Sequence, residues 1–274
     1  MRRRSGGRGG FVAPAGLIPA KGPSTADERP EPRSNFDHRA ASYDELRPVD
    51  EHWWELFDAL VRFGDLRGRR ILEVGPGPGR LAAALVERAS ARVWAVDSSP
   101  AMIDEARRNA PPGVRFKVAD AEHLPFKGGW FERVVIRMTV HLLDRPRAFP
   151  ELRRVLAEGG RAVMATLDPS EFSDGWLAPF FPSLIRIDEQ RFPSAEALEH
   201  ELAGAGFTSV SVERLPQRFD VPRAQALEQI RGRAFSTFDL IPEDELHAGT
   251  ERAEAELPER VRHARTWLIA VADR

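Results

Sequence analysis

Cysteine is absent from the 274 residues, which excludes disulfides, thiolate zinc sites and cysteine nucleophiles. Lysine occurs only at Lys21, Lys117 and Lys127, so nearly all positive charge is arginine, and this bias points to no function. Tyrosine occurs once, at Tyr43. Neither sign of charge dominates: the formal net charge is −2, without the basic excess that marks a nucleic-acid binder. No apolar run approaches the ~18 residues of a membrane-spanning helix. With cysteine also missing, a cytoplasmic location fits the composition. The seven histidines show no ligand spacing, so no metal site is expected.

Hydrophobic residues make up 42% of the chain and charged residues 30%, the balance of a globular protein with ample core. Residues 1–34 are rich in Gly, Pro, Ser and Arg and read as a disordered tail, leaving 35–274 as the folded domain. Arg2-Arg3 invites comparison with a twin-arginine signal, but Pro14 and Pro19 interrupt the stretch that would be its apolar region.

The rest is organised around residues 69–81. Ile71, Leu72 and Val74 read as a buried strand, Gly75, Gly77 and Gly79 follow at once, and an Ala-rich helix begins near Leu81. In open α/β sheets such a turn lies at the carboxyl end of a strand, where ligands bind. Arg80 stands where a dinucleotide-binding Gly-x-Gly-x-x-Gly loop would have its last glycine. Glu73 ends the strand, and a carboxylate there repels a pyrophosphate but suits a cationic ligand. A second strand, 92–96, ends in Asp97, 20 residues beyond Gly77. An acid so placed accepts from a ribose diol; the other reading is a cap for the helix that begins at Ser98-Ser99-Pro100. A third strand, 114–118, leads to Asp120 and Ala121. A fourth, 131–136, ends at Arg137, which either holds an anionic group or pairs with a loop acid.

These motifs, in this order, resemble the class I S-adenosylmethionine (SAM)-dependent methyltransferases, in their small-molecule-acting branch. The glycine loop resembles motif I, and Leu152 to Gly160 resembles the family's Leu-Arg-Arg-Val-Leu-x-x-Gly-Gly element. The family's Phe-x-x-x-Ala-x-x-Tyr-Asp lead-in maps to Phe36, Ala40, Tyr43 and Asp44. Glu132 departs from the family's usual Asp near the start of strand four. The resemblance implies SAM as cofactor, with Tyr43 over it and Glu73, Gly75, Gly77 and Gly79 in its binding loop. It implies Asp97 on the ribose, Asp120 and Ala121 at the adenine, and Met102 as an adenine wall or a core residue. Arg137 completes this set at the mouth. His141 matches the family's histidine after strand four, either a substrate contact and base or a structural hydrogen-bonder.

The implied fold is a Rossmann-like, doubly wound seven-stranded sheet, mostly parallel with an antiparallel last strand. Strand five falls at 161–167, after a helix over 146–158; strand six at 208–215; and strand seven at 266–272. The interval 216–263 is too long for a hairpin loop and reads as an inserted helical subdomain, which shapes the substrate site or makes a homodimer surface. Residues 176–192, rich in aromatics, read as a mobile cover or substrate pocket, or else as a satellite cluster on the sheet. The implied reaction is transfer of a methyl group to an O, N or C atom of a small-molecule acceptor. The alternatives are a nicotinamide-dependent oxidoreductase and a non-catalytic SAM-binding or assembly protein.

Overall fold

The computed structural model describes Phe36, Asp37, Ala40, Arg47 and residues 49–274. Seven strands form one sheet in the order β3-β2-β1-β4-β5-β7-β6. They are β1 Arg70–Val74, β2 Arg92–Asp97, β3 Arg115–Val118, β4 Phe131–Arg137, β5 Leu156–Leu167, β6 Ser209–Pro222 and β7 Arg260–Asp273. Strands β1 to β5 run parallel, and β7 lies antiparallel between β5 and β6. The helices are α1 Glu51–Gly64, α2 Arg80–Ala89, α3 Pro100–Asn109, α4 Arg145–Val155, α5 Pro182–Arg191, α6 Ala195–Gly204, α7 Arg223–Arg231 and α8 Glu243–Glu256.

Strand alternation divides the core in two. Leu72, Val74, Val134 and Ile136 point to one face and pack with Leu152 of α4 and Leu198 of α6. Ile71, Val93, Val135 and Ile269 point to the other and pack with Leu56 and Leu60 of α1 and Leu85 of α2. Helix starts follow local chemistry. The Asp50 carboxylate accepts from the Trp53 N–H at 2.9 Å and opens α1. Ser99, with Pro100 after it, does the same for α3 by accepting from the Met102 N–H at 3.1 Å.

Several element boundaries differ from the sequence expectation, the start of β5 at Leu156 among them. The helix expected over 146–158 stops at Val155, and Leu156 is extended and pairs with Phe131. The Gly159-Gly160 pair therefore sits inside a strand irregularity, with Gly159 at φ 67°, and does not end a helix. Strands β6 and β7 are each 14 residues long because they pair with one another past Leu167, the last residue of β5. The segment between them shrinks from 216–263 to 223–259. The extension carries Gln217, Phe219, His263 and Arg265 on one face, a mixture too polar to announce a strand.

This two-stranded ribbon projects beyond the carboxyl edge of the sheet and supports a helical cap. Residues 176–192 join that cap as a packed cluster. Phe181 and Leu184 share one apolar core with Leu227 and Ile230 of α7, Phe238, Leu246 of α8, and Val261 of the ribbon. The approach is close: a Cβ on Gly249 of α8 would stand 2.3 Å from the Phe181 ring.

Candidate cofactor and substrate site

Because β3, β2, β1 and β4 are parallel neighbours, their carboxyl ends share one edge, and the sequence-predicted acids collect there. Glu73 pairs in register with Ala95 and Asp97 with Val118, and alternation sends the Glu73 and Asp97 side chains to the same face. Glu73 is 2% exposed, and its Oε2 is buried with no hydrogen-bond partner. Burial pushes its carboxyl up to about 8, the nearby Asp97 charge adds to this, and Arg137 opposes it. A site that leaves a carboxylate oxygen dry and unpaired fits a cation that brings its own donors.

Asp97 is not the cap of α3 that one sequence reading made it. Ser99 caps α3, while Asp97 Oδ1 accepts from the Ser99 N–H at 2.9 Å and Oδ2 from the Gly77 N–H at 3.2 Å. Burial raises its carboxyl against these hydrogen bonds, and the charge of Asp37 raises it further. Asp37 reaches the same corner by accepting from Ser99 Oγ at 2.5 Å. Asp120 follows β3 and is exposed at the outer end of this edge, and Ala121 beside it is 6% exposed. Met102 is 1% exposed, a buried side chain of α3. Tyr43 and Asp44 lie outside the described residues.

The glycine loop has a steric reason at two of its positions. Gly75 has φ 71°, and a Cβ there would stand 2.3 Å from Thr139 Oγ1, so the loop lies directly against the turn after β4. Gly79 has φ 91°, and its Cβ would come 3.1 Å from Ala106 of α3, which brings the start of α2 against α3.

Past β4 the surroundings turn aromatic and cationic. His141 sits in a 3-10 turn, Val140–Leu142, and its ring stacks on Phe192 at 3.9 Å with an 11° tilt. Phe172 meets Phe192 edge-on at 5.1 Å. Burial, then Arg191 and Arg145, pulls the imidazole down to about 3, and Nδ1 is buried with no partner. That ring is neutral at ordinary pH and a poor proton acceptor as it stands. The Arg137 guanidinium lies 5.8 Å from the Trp53 ring centre and 5.7 Å from that of Trp267. The Arg265 guanidinium of the ribbon lies 5.6 Å from the Trp267 ring centre.

Sequence reasoning missed Thr139 and Arg265, and placed Phe192 in the aromatic stretch without pairing it with His141. Thr139 is legible only once Gly75 is placed against it. Arg265 gave no signal among so many arginines, since only the pairing of β6 with β7 brings it to this edge. Among the described residues no group of three or more His, Asp or Glu side chains has metal-binding geometry, and no helix is long and apolar enough to cross a membrane.

Fold and site together define an α/β protein with a glycine loop and buried acids at the carboxyl edge of a parallel sheet. Comparison with known proteins makes this narrower. Residues 71–160 match the family described as a methyltransferase domain. The chain is 34% identical over 195 residues to the malonyl-[acyl-carrier protein] O-methyltransferase of Geobacter sulfurreducens, covering 68% of this chain and 73% of that one. It is 35% identical over 193 residues to the demethylmenaquinone methyltransferase of Thermus thermophilus, covering 57% and 88%. A solved structure of Haemonchus contortus phosphoethanolamine N-methyltransferase 2 with SAM superimposes with a TM-score of 0.59 at 21% identity, over 87% of this chain and 57% of that one. The chain belongs to the class I SAM-dependent methyltransferases.

Proposed function

We propose that the protein is a cytoplasmic enzyme that moves the methyl group of SAM to an O, N or C atom of a small-molecule acceptor. The observation that carries this reading is the edge shared by Glu73, Gly75, Gly77 and Asp97, where Glu73 Oε2 is buried with no hydrogen-bond partner and the Gly77 N–H of the glycine loop donates to Asp97. In this reading Glu73 receives the ammonium of the amino-acid end, the glycine loop lies along it, and Asp97 accepts from the ribose hydroxyls. Asp120 and the Ala121 N–H meet the adenine, with Met102 behind it.

SAM supplies a methyl group already activated on a sulfonium, so in-line displacement breaks the S–CH₃ bond as the acceptor–CH₃ bond forms. Positioning and exclusion of water then account for most of the rate, and a strong protein base is not required. His141 fits that division: as a neutral ring stacked on Phe192 it shapes and orients the acceptor without removing its proton. The cap built by 176–192 and 223–259 covers the acceptor. Glu73 and Arg80 both disfavour the nicotinamide reading, the one by charge and the other by replacing a required glycine.

The test is calorimetric. Asp97→Ala should weaken binding of S-adenosylhomocysteine at least tenfold while leaving thermal stability within a few degrees of wild type. Unchanged affinity, or tight NAD(P) binding with none for S-adenosylhomocysteine, refutes the assignment. Screening metabolites by mass spectrometry for products 14 Da heavier, about the mass of an added CH₂ unit, then identifies the acceptor.

A further inference from the structure

The two faces of the sheet are covered unequally. Helix α2 packs on the face to which Glu73 and Asp97 point. The connection from β3 to β4, residues 119–130, contains no helix, so that crossover leaves the opposite face of β2 and β3 without one. Leu72 and Val96 point to this opposite face, and alternation sends Arg70 of β1 and Arg92 and Trp94 of β2 the same way. Register extends the set to β3, because Arg115 pairs with Trp94 and Lys117 with Val96. The Arg115 guanidinium carbon lies 4.7 Å from the Trp94 ring centre. That of Arg70 lies 4.6 Å, and the Lys127 ammonium 4.5 Å, from the Trp130 ring centre, and the two indoles meet edge-on at 6.4 Å. From this juxtaposition we propose that the face carrying Arg70, Arg92, Arg115, Lys117 and Lys127 docks an acidic helical segment of a partner protein.

The charge on this face is not balanced from within. Arg92, Arg115, Lys117 and Lys127 are exposed, and none of the four forms an ion pair with a carboxylate among the described residues. Glu132, the acid beside Arg70, is already engaged: it accepts from the Arg70 N–H at 2.9 Å and pairs with Arg69 at 3.6 Å. Lys117 and Lys127 are two of only three lysines in the chain, so this face also gathers a scarce residue. Neighbouring cations here stand within about one Debye length, ~8 Å at physiological salt, and repel one another unless an anion joins them. A chain of net charge −2 thus carries a local positive field on one open face.

Spacing and ring geometry select the partner. Adjacent strands lie ~4.8 Å apart and alternate residues ~6.6 Å apart along a strand, so the backbone positions of Arg70, Arg92, Arg115 and Lys117 follow one another at roughly 5 to 8 Å. Side chains at i and i+4 of a helix stand ~5–6 Å apart, and a row of glutamates at that spacing meets these cations in turn. Single-stranded nucleic acid fits less well. Cations already lie over both indoles, which leaves the bases no bare ring to stack on. A nucleic-acid backbone also carries charge along its whole length and meets the negative remainder of the protein, whereas a short acidic segment meets only this face.

The test uses the full chain and a fluorescein-labelled Glu-Ala-Ala-Ala repeat peptide of about 20 residues, which sets glutamates at i and i+4. Its Gln-for-Glu counterpart and an oligo-dT of matching charge are the comparison probes, and the readout is fluorescence anisotropy. The Glu peptide should bind at least tenfold more tightly than the Gln peptide and more tightly than oligo-dT. The triple variant Arg92→Gln/Arg115→Gln/Lys117→Gln should weaken the Glu peptide at least tenfold and leave S-adenosylhomocysteine within twofold. Arg231→Gln/Arg233→Gln/Arg260→Gln makes the same change in net charge at arginines already paired with Glu254, Glu243 and Asp220, and should leave the Glu peptide within twofold. An equal loss in both triple variants overturns the proposal, because bulk charge would then explain the binding. Tighter binding of oligo-dT, equal binding of the Glu and Gln peptides, or no binding of the Glu peptide by the wild type overturns it as well. So does a parallel loss of S-adenosylhomocysteine in the first triple variant, since the face would then serve the cofactor. If that variant does not fold, Lys127→Gln decides: it should weaken the Glu peptide at least twofold, and unchanged affinity refutes the docking face.

Discussion

Glu73→Gln isolates the most unusual charge in the protein. The Glu73 carboxyl has an ordinary value of 4.5 and is raised to about 8 in the folded chain, burial being the main cause. Between those values the unfolded chain is ionised at this position and the folded chain is protonated. The unfolded state therefore binds fewer protons, and stability falls as pH rises, by about 1.4 kcal/mol per pH unit. From pH 5.5 to 7.5 the loss is about 2–3 kcal/mol, levelling off above pH 8. Glutamine keeps the shape and removes the titration, so the variant should gain on wild type by that amount over the same interval. In a chain of this size that is on the order of 5–10 °C in the melting temperature. The assay is thermal unfolding of both proteins, without ligand, at half-unit pH steps. A second readout is proton release. If the ammonium of S-adenosylhomocysteine docks against Glu73, binding near pH 7 should expel up to one proton in the wild type and none from Glu73→Gln, measured by calorimetry in buffers of different ionisation enthalpy. Parallel stability curves for the two proteins between pH 5.5 and 7.5 would mean that Glu73 is ionised in the fold, and the reasoning would fail.

Gly75→Ala places a methyl group within contact of Thr139 at positive φ and should destabilise by about 2 kcal/mol or more, with part of the loss recovered in the Gly75→Ala/Thr139→Gly double variant. Full additivity in chemical denaturation would show that the two residues do not meet. His141 has its pKa lowered from 6.5 to about 3, so the unfolded chain binds more protons below pH 6.5 and the stability this ring contributes is lost as pH falls. His141→Asn should flatten the wild-type loss of stability between pH 6.5 and 4.5, and an NMR titration of the His141 ring that moved near pH 6.5 would contradict the burial argument. Phe192→Ala removes the stacking partner of His141 and should lower turnover while leaving S-adenosylhomocysteine affinity within twofold; a matching loss of both would show that the stack belongs to the cofactor site.

Much of the fold was legible in the residues because it is local. A short apolar run, a glycine turn and an Ala-rich helix specify strand, loop and helix with no reference to the rest of the chain, and the acids near the ends of β1 and β2 follow from spacing alone. The same local logic failed at Gly159-Gly160, where glycines that commonly end a helix serve a strand irregularity, because pairing of Leu156 with Phe131 outweighs the helix stop. It failed again at 216–222 and 260–265, whose polar alternation becomes strand only through pairing between residues far apart in the chain.

The sequence by itself determined the order of strands and helices, the glycine loop and the two acids at Glu73 and Asp97, because each rests on the period of its own segment. Tertiary structure alone decided that Glu73 Oε2 is buried without a hydrogen-bond partner, that His141 is a neutral ring against Phe192, and that Arg265 comes close to Trp267. Charge state and convergence depend on which distant segments exclude water from a side chain, and spacing along the chain carries no record of that.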